Sequence, residues 1–402
     1  MSIKVLYIHP SGVFGGASQS LLILLKNLKD NVYPVVVTPT GKFSEILNRE
    51  GIEVLDTYGI SQFDNTLFGH YRKARWLILI RELFYIPFTL WVILKAKIKY
   101  KHFDIIHINE ITPIISILIC KAVFTAPIIV HVRSVQVGNA ASYRSKLIMK
   151  IINKNCSKLI AIDETVKKSI PSVPNAVVVH NSYIIDDAEC QDGAIHNLAS
   201  ELPSNTLRVG MVSNFLKFKG ITEFITAAKV CKDLKINVMF LIIGGEVRSS
   251  KKIKTRLFKW LGISNDVKAE CLKFRHENKL KDVLYFFNFS DKLNWFYKEI
   301  DVICFPSYLN AVGRPVIEAA YYKKPSIVAM QNSEKDTVRP METGITINKQ
   351  DVNSLVKAIK YFHDNPNEIQ RMGYLAYKLA VENFSPDKNA TKIEDIYNNL
   401  IN

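Results

Sequence analysis

The feature that most constrains this chain is a series of short, unbroken apolar runs. IKVLYIH, YPVVVT, IEVLDT, DIIHIN, PIIVHVR, KLIAI and AVVVH occur in the first half, and LRVGMVS, NVMFLII, VLYFFNF, DVICFPS and PSIVAM in the second. A strand with one wet face alternates apolar and polar residues; these runs do not, as suits strands covered on both faces of a parallel sheet. Amphipathic stretches such as SQSLLILLKNL separate them, with second-half helices expected at about 219–234, 291–299 and 315–323. The pattern lapses in the polar, acidic stretch IIDDAECQDGAIHNLASELPSNT, which ends in Pro-Ser-Asn. The predicted fold is therefore α/β: two doubly wound, Rossmann-like domains at 1–184 and 207–380, facing a central cleft. A linker at 185–206 joins them. A C-terminal helix at 381–402 is expected to pack back toward the first domain.

Composition narrows the partners. With 402 residues and 48% hydrophobic content the chain can fill two cores. Its net charge of +16 points to an anionic partner: nucleic acid, acidic lipid or a phosphorylated small molecule. No nucleic-acid-binding motif accompanies the charge, so nucleic acid is the weakest of the three. Six cysteines, at 120, 156, 190, 231, 271 and 304, show no Cys-x-x-Cys spacing, which fits a reducing cytosol and no zinc site. The apolar run of MSIKVLYIHP is too short for a signal peptide and reads as a first strand, so a cytoplasmic protein is expected.

WLILIRELFYIPFTLWVIL, Trp76 to Leu94, has about the length needed to span a bilayer. It contains Arg81, Glu82 and Pro87, and each central charge would cost roughly 2.5–3.5 kcal/mol, which argues against a true span. Two readings stay open: a core helix, or a helix lying in a membrane surface with its flanking lysines at the interface. The basic stretch SSKKIKTRLFKWLGISNDVKAECLKFRHENKLKD reads as a solvated charged face or as a second contact with an anionic membrane or glycan.

In doubly wound sheets, ligands bind beyond the carboxyl ends of the strands, so the loops there carry the chemistry. HPSGVFGGASQS follows the first strand, and Gly15 and Gly16 let a ligand approach backbone beside free helix N–H groups. His107 and His131 end the strands DIIHIN and PIIVHVR, with Asn109, Glu110 and Arg133 beyond them. His107 reads as a hydrogen-bonded core histidine and His131 as functional. MVSNFLKFKG sets Lys217 and Lys219 at a strand–helix junction, where lysine suits a diphosphate. In NAVGRPVIEA, Gly313 takes positive φ or admits a ligand. Arg314 and Pro315 open a helix whose free amides suit phosphate, and Glu318 can accept a vicinal diol such as a ribose. A phosphate seat beside a diol acceptor describes a nucleotide pocket.

Taken in order, the glycine loop, the strand-end histidine, Lys-Gly after the first strand of the second half and FPS…G..VIEA resemble the retaining GT-B glycosyltransferases of family 4, the glycosyl transferases group 1. LIAIDETVKK, VVHNSYI, LIIGG, TGITI and the closing YLAYKLAVENFS…IEDIYNNL fit the same pattern. The resemblance implies an acceptor-binding first domain, a donor-binding second domain, and transfer from a UDP-, GDP- or similar nucleotide sugar without cofactor or metal. It places Glu318 on the donor ribose, Lys219 and Gly16 at the diphosphate, and His131 facing the transferred sugar, with Asn109, Glu110 and Arg133 as acceptor-side candidates. It further implies a hexosyl- or related transferase of surface-polysaccharide assembly, such as lipopolysaccharide or capsule. The acceptor would be a glycan or lipid-linked glycan, and the enzyme would sit peripherally at the inner face of the cytoplasmic membrane.

Two positions depart from the family pattern. Asn310 stands where the family carries the first glutamate of E-x7-E, and Asn214 where an arginine is expected. Asn310 can bond sugar hydroxyls but supplies no carboxylate, and Arg314 with Lys217 could replace the missing phosphate arginine. These departures keep open a GT-B-like protein that binds nucleotide sugar or glycan without turnover. A dinucleotide-dependent oxidoreductase is disfavoured, because Gly-x-Gly-x-x-Gly follows the first strand of neither half.

Overall fold

The computed structural model describes residues 2–67, 69, 71, 76–137, 142–170, 176–185, 205–245, 267–288, 290, 293–309 and 311–401. The chain forms two compact units, Met1–Ile184 with Asn383–Asn402, and Ile185–Glu382. Most of the expected linker, residues 186–204, lies outside the described residues, as does 249–266 of the basic stretch; its remainder, 267–282, contains the helix Val267–Glu277.

The first unit is built on a parallel sheet of seven strands: β1 (Ile3–Ile8), β2 (Val32–Pro39), β3 (Glu53–Thr57), β4 (Ile105–Ile108), β5 (Ile128–Val132), β6 (Lys158–Ala161) and β7 (Ala176–Val178). Their order is β3-β2-β1-β4-β5-β6-β7, and every pairing is parallel. The second unit repeats the scheme with β8 (Leu207–Val212), β9 (Val238–Ile243), β10 (Leu284–Phe287), β11 (Val302–Phe305), β12 (Ser326–Ala329) and β13 (Gly344–Ile347). Its order is β10-β9-β8-β11-β12-β13, again parallel throughout. In each sheet the chain winds outward from the central strand and then crosses to the other side. The loops after β1 and β4, and after β8 and β11, therefore flank a switch point, where ligand sites form in such sheets. β13 was not anticipated as a strand; its GITI core is four residues long and half-buried at the sheet edge.

The apolar runs are buried on both faces. Along β1, Leu6 and Ile8 join one hydrophobic cluster while Val5 and Tyr7 join the other. Burying each such side chain contributes about 1.5–3 kcal/mol, which anchors the sheet and leaves polar groups to its ends. The second cluster is completed by Ala390, Ile393 and Tyr397 of the helix Pro386–Ile401, so the chain's last helix is part of the first unit's core. The segment expected to be core or interfacial forms two helices, Leu77–Phe84 and Ile86–Tyr100, broken at Tyr85.

Tyr397 also closes a buried polar chain. Its hydroxyl lies 2.7 Å from that of Tyr7 and 2.6 Å from His107 Nδ1, and all three residues are fully buried. Burial, with Arg133 nearby, pushes the His107 pKa from 6.5 down to about 3, so the ring stays neutral. Two outcomes are expected. Tyr397→Phe removes the hydroxyl shared by Tyr7 and His107 and should lower unfolding stability by about 1–3 kcal/mol in urea titrations. The unfolded chain protonates His107 below about pH 6.5 and the folded one only near pH 3, so the unfolded state binds more protons between these values. Stability should therefore fall as pH drops through that window, and His107→Gln should flatten the fall; an unchanged pH profile in the variant would refute this role.

Candidate functional site

In the second unit the loop after β8 is pressed against the end of β11. Gly220 has φ of 80°, and a Cβ there would stand 2.0 Å from the Pro306 carbonyl oxygen, so only glycine fits the turn. Tyr308 N–H donates to the Phe218 carbonyl at 2.9 Å and fixes the same approach. The short 3-10 turn Lys217–Lys219 thereby brings the Lys219 ammonium within 5.2 Å of the Phe305 ring centre and 5.5 Å of the Phe218 ring centre. Burial holds the Lys219 pKa below its ordinary value. Among the described residues no carboxylate forms an ion pair with it; its compensation is the two aromatic faces. Such a cation gains from an arriving anion.

Phe305 also explains the glycine on its other side. Gly313 has φ of −85° and is extended, which corrects the expectation of a positive angle. A Cβ there would fall 2.3 Å from the Phe305 ring, so the glycine is needed for close packing. It precedes the helix Arg314–Tyr321, with Pro315 in the first turn where no N–H is missed. The Lys219 turn and this helix start thus meet at one aromatic ring.

Glu318 lies one turn into that helix and is buried. Its carboxylate accepts Tyr297 Oη–H at 2.6 Å on one oxygen and Arg314 Nε–H at 2.6 Å on the other. Each oxygen keeps a further lone pair, so a diol can still be accepted, but the carboxylate is already oriented by protein. Arg314 is thus directed onto Glu318, and Lys217 is paired with Glu270 at 2.8 Å. Neither is held free as a substitute phosphate arginine. Asn214 is exposed, and Asn310 lies outside the described residues.

In the first unit a directed hydrogen-bond chain links the glycine loop to the ends of β4 and β5. Arg133 Nε–H donates to Asn109 Oδ1 at 2.8 Å, and Asn109 Nδ2–H donates to His9 Nδ1 at 2.8 Å. That fixes the His9 proton on Nε2, which reaches Ser18 Oγ at 3.0 Å, and Ser18 donates to the Val13 carbonyl at 2.8 Å. Burial and Arg133 press the His9 pKa down to about 3, so the ring stays neutral and holds this tautomer. His9 and Ser18 were missed, although His9 ends its strand as His131 does. Asn181, which accepts Arg133 Nη1–H at 2.5 Å, carried no signal of its own.

His131 is buried, and its pKa lies well below 6.5 from burial, with Arg133 and His107 adding to the effect. Arg133 Nη2 stands 3.4 Å from His131 Nδ1; since a guanidinium only donates, the imidazole proton sits on Nε2. That Nε2–H has no hydrogen-bond partner among the described residues. Glu110 accepts Ser134 Oγ–H at 2.8 Å and Ile111 N–H at 2.8 Å, and burial raises its pKa. Asn109 and Glu110 are thus consumed in positioning Arg133 and its neighbours. Gly15 and Gly16 open the helix Gly16–Asn27, and a Cβ at either would meet nothing within 4 Å, so the approach to that backbone is open.

Comparison with known proteins agrees with this architecture. Residues 197–379 match the family model of glycosyl transferases group 1. The chain is 25% identical over 318 residues to the O-antigen biosynthesis glycosyltransferase WclY of Escherichia coli, covering 76% of this chain and 81% of that protein. It is 23% identical over 264 residues to the capsular polysaccharide biosynthesis glycosyltransferase CapM of Staphylococcus aureus, covering 63% of this chain and 65% of the relative. Among solved structures, Anabaena Alr3699/HepE in complex with UDP superposes with a TM-score of 0.76 at 18% identity, covering 99% of this chain and 100% of that one. A glycosyltransferase from Rickettsia africae gives 0.74 at 17% identity, covering 100% and 99%. The chain therefore has the GT-B fold, and its residues 197–379 are similar to the glycosyl transferases group 1 family.

Proposed function

We propose that the protein is a cytoplasmic glycosyltransferase of surface-polysaccharide assembly, moving a hexosyl or related sugar from a nucleoside diphosphate sugar to a glycan or lipid-linked glycan, with retention and without a metal. The observation that carries this reading is the Lys219 ammonium, partly buried on Phe218 and Phe305 without a carboxylate partner among the described residues, and packed against the same ring as the Gly313 helix start. The relatives' names, with their O-antigen and capsule biosynthesis, support the acceptor class, and the UDP in the Alr3699/HepE structure supports the donor class.

In this reading the diphosphate lies at the Arg314–Tyr321 helix start, and Lys219 offsets the charge that develops as the sugar–phosphate bond breaks. Glu318, aimed by Tyr297 and Arg314, receives the ribose hydroxyls. Within the first unit, Gly15 and Gly16 leave backbone open to an approaching ligand and His131 keeps an Nε2–H without a partner among the described residues; the resemblance assigns these groups to phosphate and to the transferred sugar. The Arg133–Asn109–His9–Ser18 chain holds the glycine loop in place. Binding without turnover remains the second reading, favoured by Asn310 in the position where the family carries a carboxylate.

A panel of nucleotide sugars, assayed for hydrolysis and transfer with chelator present, separates the two; binding with neither reaction would favour the second. Lys219→Ala should weaken UDP or GDP and inorganic pyrophosphate alike, by about 10–100-fold. Glu318→Gln should weaken the nucleoside diphosphate while leaving pyrophosphate unchanged, because only the former brings a ribose. Equal losses for both ligands in Glu318→Gln would move that residue out of the ribose role.

A further inference from the structure

The helices Leu77–Phe84 and Ile86–Tyr100 have two unlike faces. One is fastened to the first unit: Val92, Ile93 and Ala96 lie in its core, and Thr89 Oγ1 accepts Ser61 N–H at 2.9 Å. On the same side the carboxylate of Glu82 is buried, accepting Gln62 N–H at 2.9 Å and paired with Arg81. The other face is a stripe of Leu77, Ile80, Phe84, Trp91 and Ile98, all exposed, with Ile80 at 66% and Trp91 at 67%. Large apolar groups repeated at helical spacing in water mark a surface that is covered in use.

The charge around this stripe indicates what covers it. Between residues 76 and 101 the acidic side chain is Glu82 alone, and it is buried; Arg81, Lys95, Lys97, Lys99 and Lys101 are exposed. The patch continues onto the helix Tyr143–Asn155, where the Arg144 guanidinium lies 6.0 Å from the Trp76 ring centre. That helix has no acidic residue, exposes Tyr143 and Leu147, and carries Lys146, Lys150 and Lys154 at its surface. An apolar stripe rimmed by cations with tryptophans within it matches a bilayer interface bearing anionic headgroups. The fastened face excludes a span, because crossing would tear Glu82, Thr89 and the core residues from their partners.

We propose that this face is a monotopic docking surface for an anionic bilayer, with the stripe entering the headgroup–acyl boundary and the lysines over acidic lipid. The inference uses no donor-site residue and stands whether or not the protein transfers sugar.

The test is sedimentation of the full chain with phosphatidylcholine vesicles, with and without phosphatidylglycerol, over a salt series. Pelleting is expected with the anionic vesicles and should weaken as salt rises. Ile80→Asp with Trp91→Asp should abolish it, whereas Tyr374→Asp, an exposed aromatic in the second unit, should not. Lys95→Gln with Lys97→Gln should weaken binding roughly 25-fold through charge alone and spare the apolar face. Quenching of Trp91 fluorescence by brominated acyl chains, judged by its loss in Trp91→Phe, gives a readout independent of folding defects. No pelleting at low salt, equal pelleting of the aspartate variant, or an unquenched Trp91 would each overturn the proposal. So would a wild-type dimer in solution that the aspartate pair dissolves, since the face would then be covered by a second copy.

Discussion

Everything in this molecule follows from parallel strands that are buried on both faces. A strand so placed can carry polar function only at its ends, and parallel pairing puts all the carboxyl ends of one sheet on the same edge. His9, His107 and His131 in the first sheet, and the Lys219 turn and Gly313 helix start in the second, lie at or beyond such ends. The chemistry is concentrated because the core leaves it nowhere else.

Within that edge, close packing does the positioning. Phe305 is touched from two directions, by the Lys219 ammonium and by a glycine with no room for a side chain. One ring thus sets the spacing between a cation and a helix start, the two groups proposed above for a diphosphate. In the first unit the same task falls to hydrogen bonds, where the permanent donor Arg133 fixes amide and imidazole orientations in turn. A guanidinium cannot reverse its role, so the tautomers beyond it are determined.

How far this was readable from sequence depended on whether a signal was local. The strands were legible because unbroken apolar runs are local; β13 was not, being short and half-buried at an edge. The reading of His107 as a core residue and the siting of Lys219 at a strand–helix junction followed from their place on strands. For Gly313 the positive angle is not realised; its packing constraint is Phe305, eight residues earlier in sequence, which no local signal reveals. Tyr397, Asn181 and the role of Ser18 were not legible, because each acts through a partner brought to it by topology. The helices at 77–100 read equally as core and interface in one dimension because one face packs into the core while the other exposes large apolar side chains.

The place of Tyr397 has a consequence for how the protein is made. The first unit's core includes side chains from residues 3 to 179 and then from 390 to 397, and the His107–Tyr397 bond spans 290 residues of sequence. During synthesis the first sheet emerges long before its last helix. At about 5–20 residues per second, the intervening unit delays that helix by roughly 10–40 s. Through that interval Tyr7 and His107 lack their shared hydroxyl, and the cluster around Leu21 and Val36 lacks one wall. The first half is therefore born before the second but completed after it.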